Sequence, residues 1–162
     1  GFAKNFATFP GWYETGDAGH FDDEGFLHIM GRTDDIINVA GHRLSTGQME
    51  QIVASQDGVA ECAVIGADDA IKGMIPVAFV VARAGVNDAA ALHDAVIAAV
   101  RAELGAVTAL KTAYVVPGLP KTRSGKILRN LLRKIVNGEA FETPPTIEDP
   151  AVPDLLVAAV RS

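Results

Sequence analysis

Val59-Ala60-Glu61-Cys62-Ala63-Val64-Ile65 and, further on, Pro76-Val77-Ala78-Phe79-Val80-Val81-Ala82 decide how this chain folds. Both runs are rich in valine, which suits the pleated, half-buried surface of a sheet. The turn-prone pairs Asp68-Asp69 and Lys72-Gly73 stand between them, so the two runs read as neighbouring strands. Outward from this pair the hydrophobic period changes. Upstream, Ser45-Thr46-Gly47-Gln48 fits a capping box with Ser45 as N-cap and Gln48 at N3. Met49, Ile52 and Val53 follow on one face and give a helix to about Ser55. Downstream, Asn87 can cap a helix carrying Leu92, Val96, Ala99, Val100 and Glu103 that closes near Gly105. Residues 113–116 add a strand, and Ile127, Leu128, Leu131, Leu132 and Ile135 mark an amphipathic helix stopped by Gly138.

Nearer the start, Phe26-Leu27-His28-Ile29-Met30 reads as a strand after the polar turn Asp22-Asp23-Glu24-Gly25, and Ile36-Ile37-Asn38-Val39 as another. Beyond 140, Pro144, Pro145, Pro150 and Pro153 predict a proline-rich tail over the surface, with a short helix over 155–160. The order of elements is α+β, a small sheet covered by helices.

With 162 residues, 49% apolar and 21% charged, the chain suits one compact domain or one domain plus part of a neighbour. The net charge of −6 excludes a global basic field, so no nucleic-acid partner is expected and any anion site must be built locally. No run approaches the ~18 apolar residues of a membrane span, and the first residues lack the design of a signal peptide. The single cysteine, Cys62, excludes an internal disulfide; it reads as a small strand residue and fits a reducing cytoplasm. His20, His28, His42 and His93 lack the close pair spacing of zinc ligands, so no metal site is expected from them. Gly1-Phe2-Ala3-Lys4 has no initiator methionine and reads as a segment of a longer chain, unless the start was chosen by design.

Four motifs carry possible chemistry. Pro120-Lys121-Thr122-Arg123-Ser124-Gly125-Lys126 gathers three cations, two hydroxyls and a glycine in seven residues, a composition able to meet negative oxygen. It is not a P-loop, since Ile127 stands where the Ser/Thr is required. A solvated basic turn is the alternative. Tyr13-Glu14-Thr15-Gly16-Asp17 places a carboxylate after a turn; such a group can accept hydrogen bonds from both hydroxyls of a ribose, or simply bond its own backbone. Gly31-Arg32-Thr33-Asp34-Asp35 and Gly41-His42-Arg43-Leu44-Ser45 each also read as hairpin turns with exposed charges.

In this order the four motifs resemble the closing motifs of the acyl- and aryl-adenylate-forming enzymes. Asp34-Asp35 after Gly-Arg-Thr, with Gly41-His42-Arg43 downstream, is similar to the acetyl- and propionyl-CoA synthetase branch, and Leu44-Ser45-Thr46-Gly47 leans toward the propionyl side. The resemblance implies a fragment: 1–33 as the end of a large N-terminal adenylation domain, with a β-hairpin remnant, 34–140 as the mobile C-terminal domain with a small mixed sheet, and 141–162 as a proline-rich tail. It implies a ligase that joins a short-chain carboxylate to coenzyme A through an acyl-AMP, using ATP with Mg2+ held mainly through the nucleotide. The fragment alone is expected to be inactive.

Residue by residue, Asp17 matches the acid that holds the ribose and Arg32 an arginine beside it. Asp34 matches the hinge. Lys126 matches the adenylation lysine, and its sequence setting is similar to family members regulated by lysine acetylation, which implies a protein acetyltransferase and deacetylase as partners. Gly41 matches the glycine of the pantetheine tunnel, and Arg43 and Arg101 match arginines linked to nucleotide or coenzyme A phosphates. Arg101, on the helix expected over 87–103, also reads as an exposed structural arginine. Trp12 and Glu14 flank Tyr13 where many relatives carry other aromatics, which bears on the shape beside the nucleotide. The reading from another class is a non-catalytic module that binds coenzyme A or a partner domain.

Overall fold

A computed structural model describes residues 6–33, 36–39, 41–106 and 110–161. The chain divides into two compact units, Gly1–Ile36 and Ile37–Ser162. In the first, β1 (Asp17–Phe21) and β2 (Leu27–Arg32) pair antiparallel. Asp22 closes the turn between them: one carboxylate oxygen accepts the backbone N–H of Glu24 (3.0 Å) and of Phe26 (2.9 Å), and the other meets His28 Nε2 at 2.7 Å. The His28 contact and these N–H donors hold the Asp22 carboxyl below the usual carboxylate range.

The second unit is built on β5 (Val59–Asp69) and β6 (Gly73–Ala82), the two valine-rich runs, paired antiparallel. β3 (Ile36–Val39) joins the start of β6, and β4 (His42–Ser45) lies outside β3. β7 (Thr112–Val115) runs parallel along the second half of β6, with Val77 opposite Thr112 and Val80 opposite Val115. A parallel neighbour needs a crossover, which α2 (Ala89–Leu104) supplies. The sheet is therefore mixed, as the resemblance implies.

Both faces of the β5–β6 pair are covered, which is why 59–65 and 76–82 read as near-continuous apolar runs. Val64, Ala78 and Val80 face one core, packed with Met49 and Val53 of α1 (Thr46–Ala54) and Leu92, Val96 and Val100 of α2. Ala63, Ile65, Val77 and Phe79 face the other, with Leu131, Leu132 and Ile135 of α3 (Arg129–Val136) and Leu156 of α4 (Val152–Arg161). The proline-bearing segment beyond 140 thus contributes buried Ile147, Val152 and Leu156 to the second core.

Local expectations hold with corrections. Ser45 caps α1, its hydroxyl accepting from the Gln48 N–H. The cap of α2 is Asp88, whose carboxylate accepts from the Ala91 N–H at 2.9 Å, and not Asn87: the helix begins at Ala89, so Asp88 stands just before it and Ala91 is the N3 donor that an N-cap side chain serves. α3 starts at Arg129 because Ile127 is taken up in a backbone bridge with Lys121. Residues 42–45, open to a turn reading, form a strand, and α4 runs longer at both ends than 155–160, with Pro153 tolerated in its first turn.

Candidate functional site

The Lys126 loop is a tight hairpin rather than a solvated coil. Lys121 and Ile127 form an antiparallel bridge, the Thr122 N–H donates to Lys126 O (2.9 Å) and the Gly125 N–H to Thr122 O (2.8 Å). The Thr122 hydroxyl accepts the Lys126 N–H at 3.1 Å and shares a 2.9 Å hydrogen bond with Ser124 Oγ. From outside, the tail clamps it: Thr122 bridges Ile147, the Arg123 N–H donates to Thr146 O and the Glu148 N–H to Lys121 O. The three cations are then sorted. Lys121 Nζ pairs with Glu61 at 2.7 Å, while Arg123 and Lys126 stay exposed on the hairpin. Among the described residues none forms an ion pair or hydrogen bond with the Lys126 ammonium.

In the first unit the Asp17 and Arg32 expected at a ribose are brought together as strand partners. Arg32 Nη1 lies 3.5 Å from the Asp17 carboxylate and donates to Thr15 O at 2.6 Å. The Gly16 carbonyl takes both the N–H (2.8 Å) and the hydroxyl (3.0 Å) of Thr33. Gly16 has φ +75, and a Cβ there would meet Arg32 Nη2 at 2.8 Å. The Thr15-Gly16-Asp17 turn is thus shaped around the guanidinium, and both charged side chains remain about half exposed.

Gly41 has φ +87 with nothing within 4 Å of an added Cβ, so here the glycine is required by its backbone conformation. Arg43 lies exposed on β4, and Arg101 exposed in the last turn of α2, where its carbonyl accepts the Gly105 N–H. Among the described residues no ion pair joins Arg43 or Arg101 to the Lys126 loop. Asp34 lies outside the described residues. No group of three or more His, Cys, Asp or Glu able to hold a metal is gathered among the described residues, and no helix among them is long and apolar enough to cross a membrane.

Two residues escaped the reading of the sequence. Glu50 and Arg129 form a bidentate pair, Arg129 Nη2 reaching both carboxylate oxygens at 3.0 and 2.9 Å. The signal was available: Thr46, Glu50 and Val53 share one stripe of α1 at i, i+4 and i+7, and an acid on a half-buried stripe demands a partner.

Residues 48–126 match the family described as AMP-binding enzyme C-terminal domain. Residues 48–126 belong to the C-terminal domain family of AMP-binding enzymes. It is 47% identical over 148 residues to the mouse protein named acyl-CoA synthetase short-chain family member 3, mitochondrial, covering 91% of this chain and 22% of the mouse protein. It is 44% identical over 154 residues to the acetyl-coenzyme A synthetase of Aeromonas hydrophila, covering 94% of this chain and 24% of that protein. The crystal structure of ATP-bound MatB from Rhodopseudomonas palustris superposes with a TM-score of 0.66 at 29% identity, over 77% of this chain and 24% of MatB. The chain therefore spans about a quarter of the length of these relatives. The matched residues span β5, β6, α2 and β7 of the mixed sheet.

Proposed function

We propose that this chain is the catalytic lid of a short-chain carboxylate–CoA ligase. In such an enzyme a carboxylate and Mg-ATP give acyl-AMP and pyrophosphate, and coenzyme A then displaces AMP to give the thioester. The observation that carries the reading is the clamped hairpin 120–127, which holds an exposed ammonium on a fixed backbone. An ammonium there suits the charge that builds between the attacking carboxylate and the α-phosphate. Because that charge peaks in the transition state, Lys126 serves rate more than ATP affinity. Acetylating Lys126 would remove the cation and stop adenylation, which gives an acetyltransferase and a deacetylase a target.

Asp17 and Arg32 would take the ribose hydroxyls, the carboxylate accepting and the guanidinium fixing its direction. Mg2+ would arrive with the ATP phosphates. Asp34 would act as the hinge through its backbone torsions, with 1–33 belonging to the large adenylation domain and 34–140 to the moving one. Gly41 would line the pantetheine path, and Arg43 and Arg101 would face nucleotide or coenzyme A phosphates. A lone half-buried thiol supports a reducing compartment. Propionate or acetate is the acid we propose.

The test is AMP release by the full-length protein with Mg-ATP, coenzyme A and acetate, propionate or butyrate in turn. Release that depends on a short acid is expected, and the fastest acid names the substrate. If no carboxylate supports release, the binding-only module takes the place of the ligase.

A further inference from the structure

Since the Lys126 ammonium forms no hydrogen bond or ion pair with the described residues, its place is set chiefly by the backbone on either side of it. That backbone is tied twice to β5, an edge strand of the sheet. Before the loop tip, Lys121 pairs with Glu61 of β5. After it, Arg129, the first residue of α3, is gripped by Glu50. Glu50 Oε1 also accepts the Val64 N–H of β5 at 2.8 Å, so one carboxylate links α1, the sheet edge and the start of α3. Leu128, the N-cap of α3, makes no side-chain capping bond; its N–H donates to Pro120 O at 2.8 Å, and the Arg129 guanidinium adds a charged anchor to the first turn beside the buried Leu131 and Leu132. The pair is mostly withdrawn from water, with 18% of the Glu50 and 31% of the Arg129 side chain exposed, so its geometry is held more firmly than that of a surface pair.

We infer that Glu50 is a positioning residue for adenylation: it holds Arg129 and thereby sets where Lys126 presents its ammonium. The inference rests on the reading of Lys126 as the adenylation lysine. A displacement of about 1 Å in a catalytic group can cost on the order of 10²-fold in rate.

The experiment uses the full-length protein and Glu50→Gln, which keeps the side-chain volume and an acceptor for the Val64 N–H while removing the charge that grips Arg129. Acyl-AMP formation from Mg-ATP and propionate is timed separately from thioester formation with supplied propionyl-AMP and coenzyme A. Expected is a fall of about 10- to 100-fold in the adenylation kcat, with the ATP KM within about twofold and thioester formation unchanged. Arg129→Gln should give the same fall, and the double variant no further one, because both changes break one link. Equal loss in both half-reactions, tracking a lower melting temperature, reduces Glu50 to a structural role and overturns the inference. An unchanged adenylation rate in Glu50→Gln, while Lys126→Ala abolishes it, overturns the inference and leaves the ligase reading standing. If Lys126→Ala itself spares adenylation, both fall together.

Discussion

Gly16 and Gly25 allow the ribose contact to be tested apart from backbone strain. Both have positive φ, +75 and +87, so alanine at either position costs about 1–2 kcal/mol in the left-handed region. Their surroundings differ. Nothing lies within 4 Å of a Cβ at Gly25, whereas at Gly16 it would meet Arg32 Nη2 at 2.8 Å, Cζ at 3.2 Å and Nη1 at 3.3 Å. The guanidinium ends a flexible chain and will yield, giving up its 2.6 Å bond to Thr15 O and its place beside Asp17. Gly16→Ala and Gly25→Ala should therefore lower the melting temperature of the full-length protein by similar amounts. Only Gly16→Ala should disturb the nucleotide. If Asp17 and Arg32 hold the ribose, losing one such contact is worth about 1–2 kcal/mol, which raises the ATP KM about 5- to 30-fold. ATP–pyrophosphate exchange across an ATP titration reads this directly, with Gly25→Ala expected within about twofold of wild type. A KM raised equally in both variants, or unmoved in Gly16→Ala, refutes the reasoning.

Two further predictions concern the second unit. Asp88→Ala should cost about 1 kcal/mol in urea unfolding while Asn87→Ala costs nothing measurable, since the carboxylate of Asp88 caps α2; the reverse order would restore Asn87 as cap. Burial pushes the Cys62 thiol from 9.0 up to about 11, with the Glu50 charge adding and that of Arg129 opposing. At pH 8 its thiolate is then about a hundredfold scarcer than that of an ordinary cysteine, and iodoacetamide should label the native protein correspondingly slowly. The sign for stability follows: the unfolded thiol ionises from pH 9 while the folded one keeps its proton, so this contribution is complete below pH 9 and fades toward pH 11. Native labelling as fast as that of the urea-unfolded protein would contradict the burial.

β5 and β6 were legible because a sheet covered on both faces prints a valine-rich run, and the α1 cap because Ser45 and Gln48 stand at capping distance. Asn87 and Asp88 are adjacent and chemically alike, so composition could not choose between them; only the position of the Ala91 N–H does. The resemblance implied a hairpin in 1–33, but the residues alone did not mark β1, because Asp17-Ala18-Gly19-His20-Phe21 has little strand propensity and owes its pairing to β2. The Lys126 loop was visible as a cluster of cations, but not that Lys121 is used up on Glu61, a residue far away in sequence. The Glu50–Arg129 link was hidden for the same reason: a stripe position signals that a partner exists, and only the fold says which.

Separating the two half-reactions in Lys126→Ala tests the central claim most directly. The full-length variant should lose acyl-AMP formation from Mg-ATP and a short carboxylate by several orders of magnitude, while converting supplied acyl-AMP and coenzyme A to thioester at the wild-type rate. Equal loss of both half-reactions, or adenylation that survives without the lysine, would contradict it.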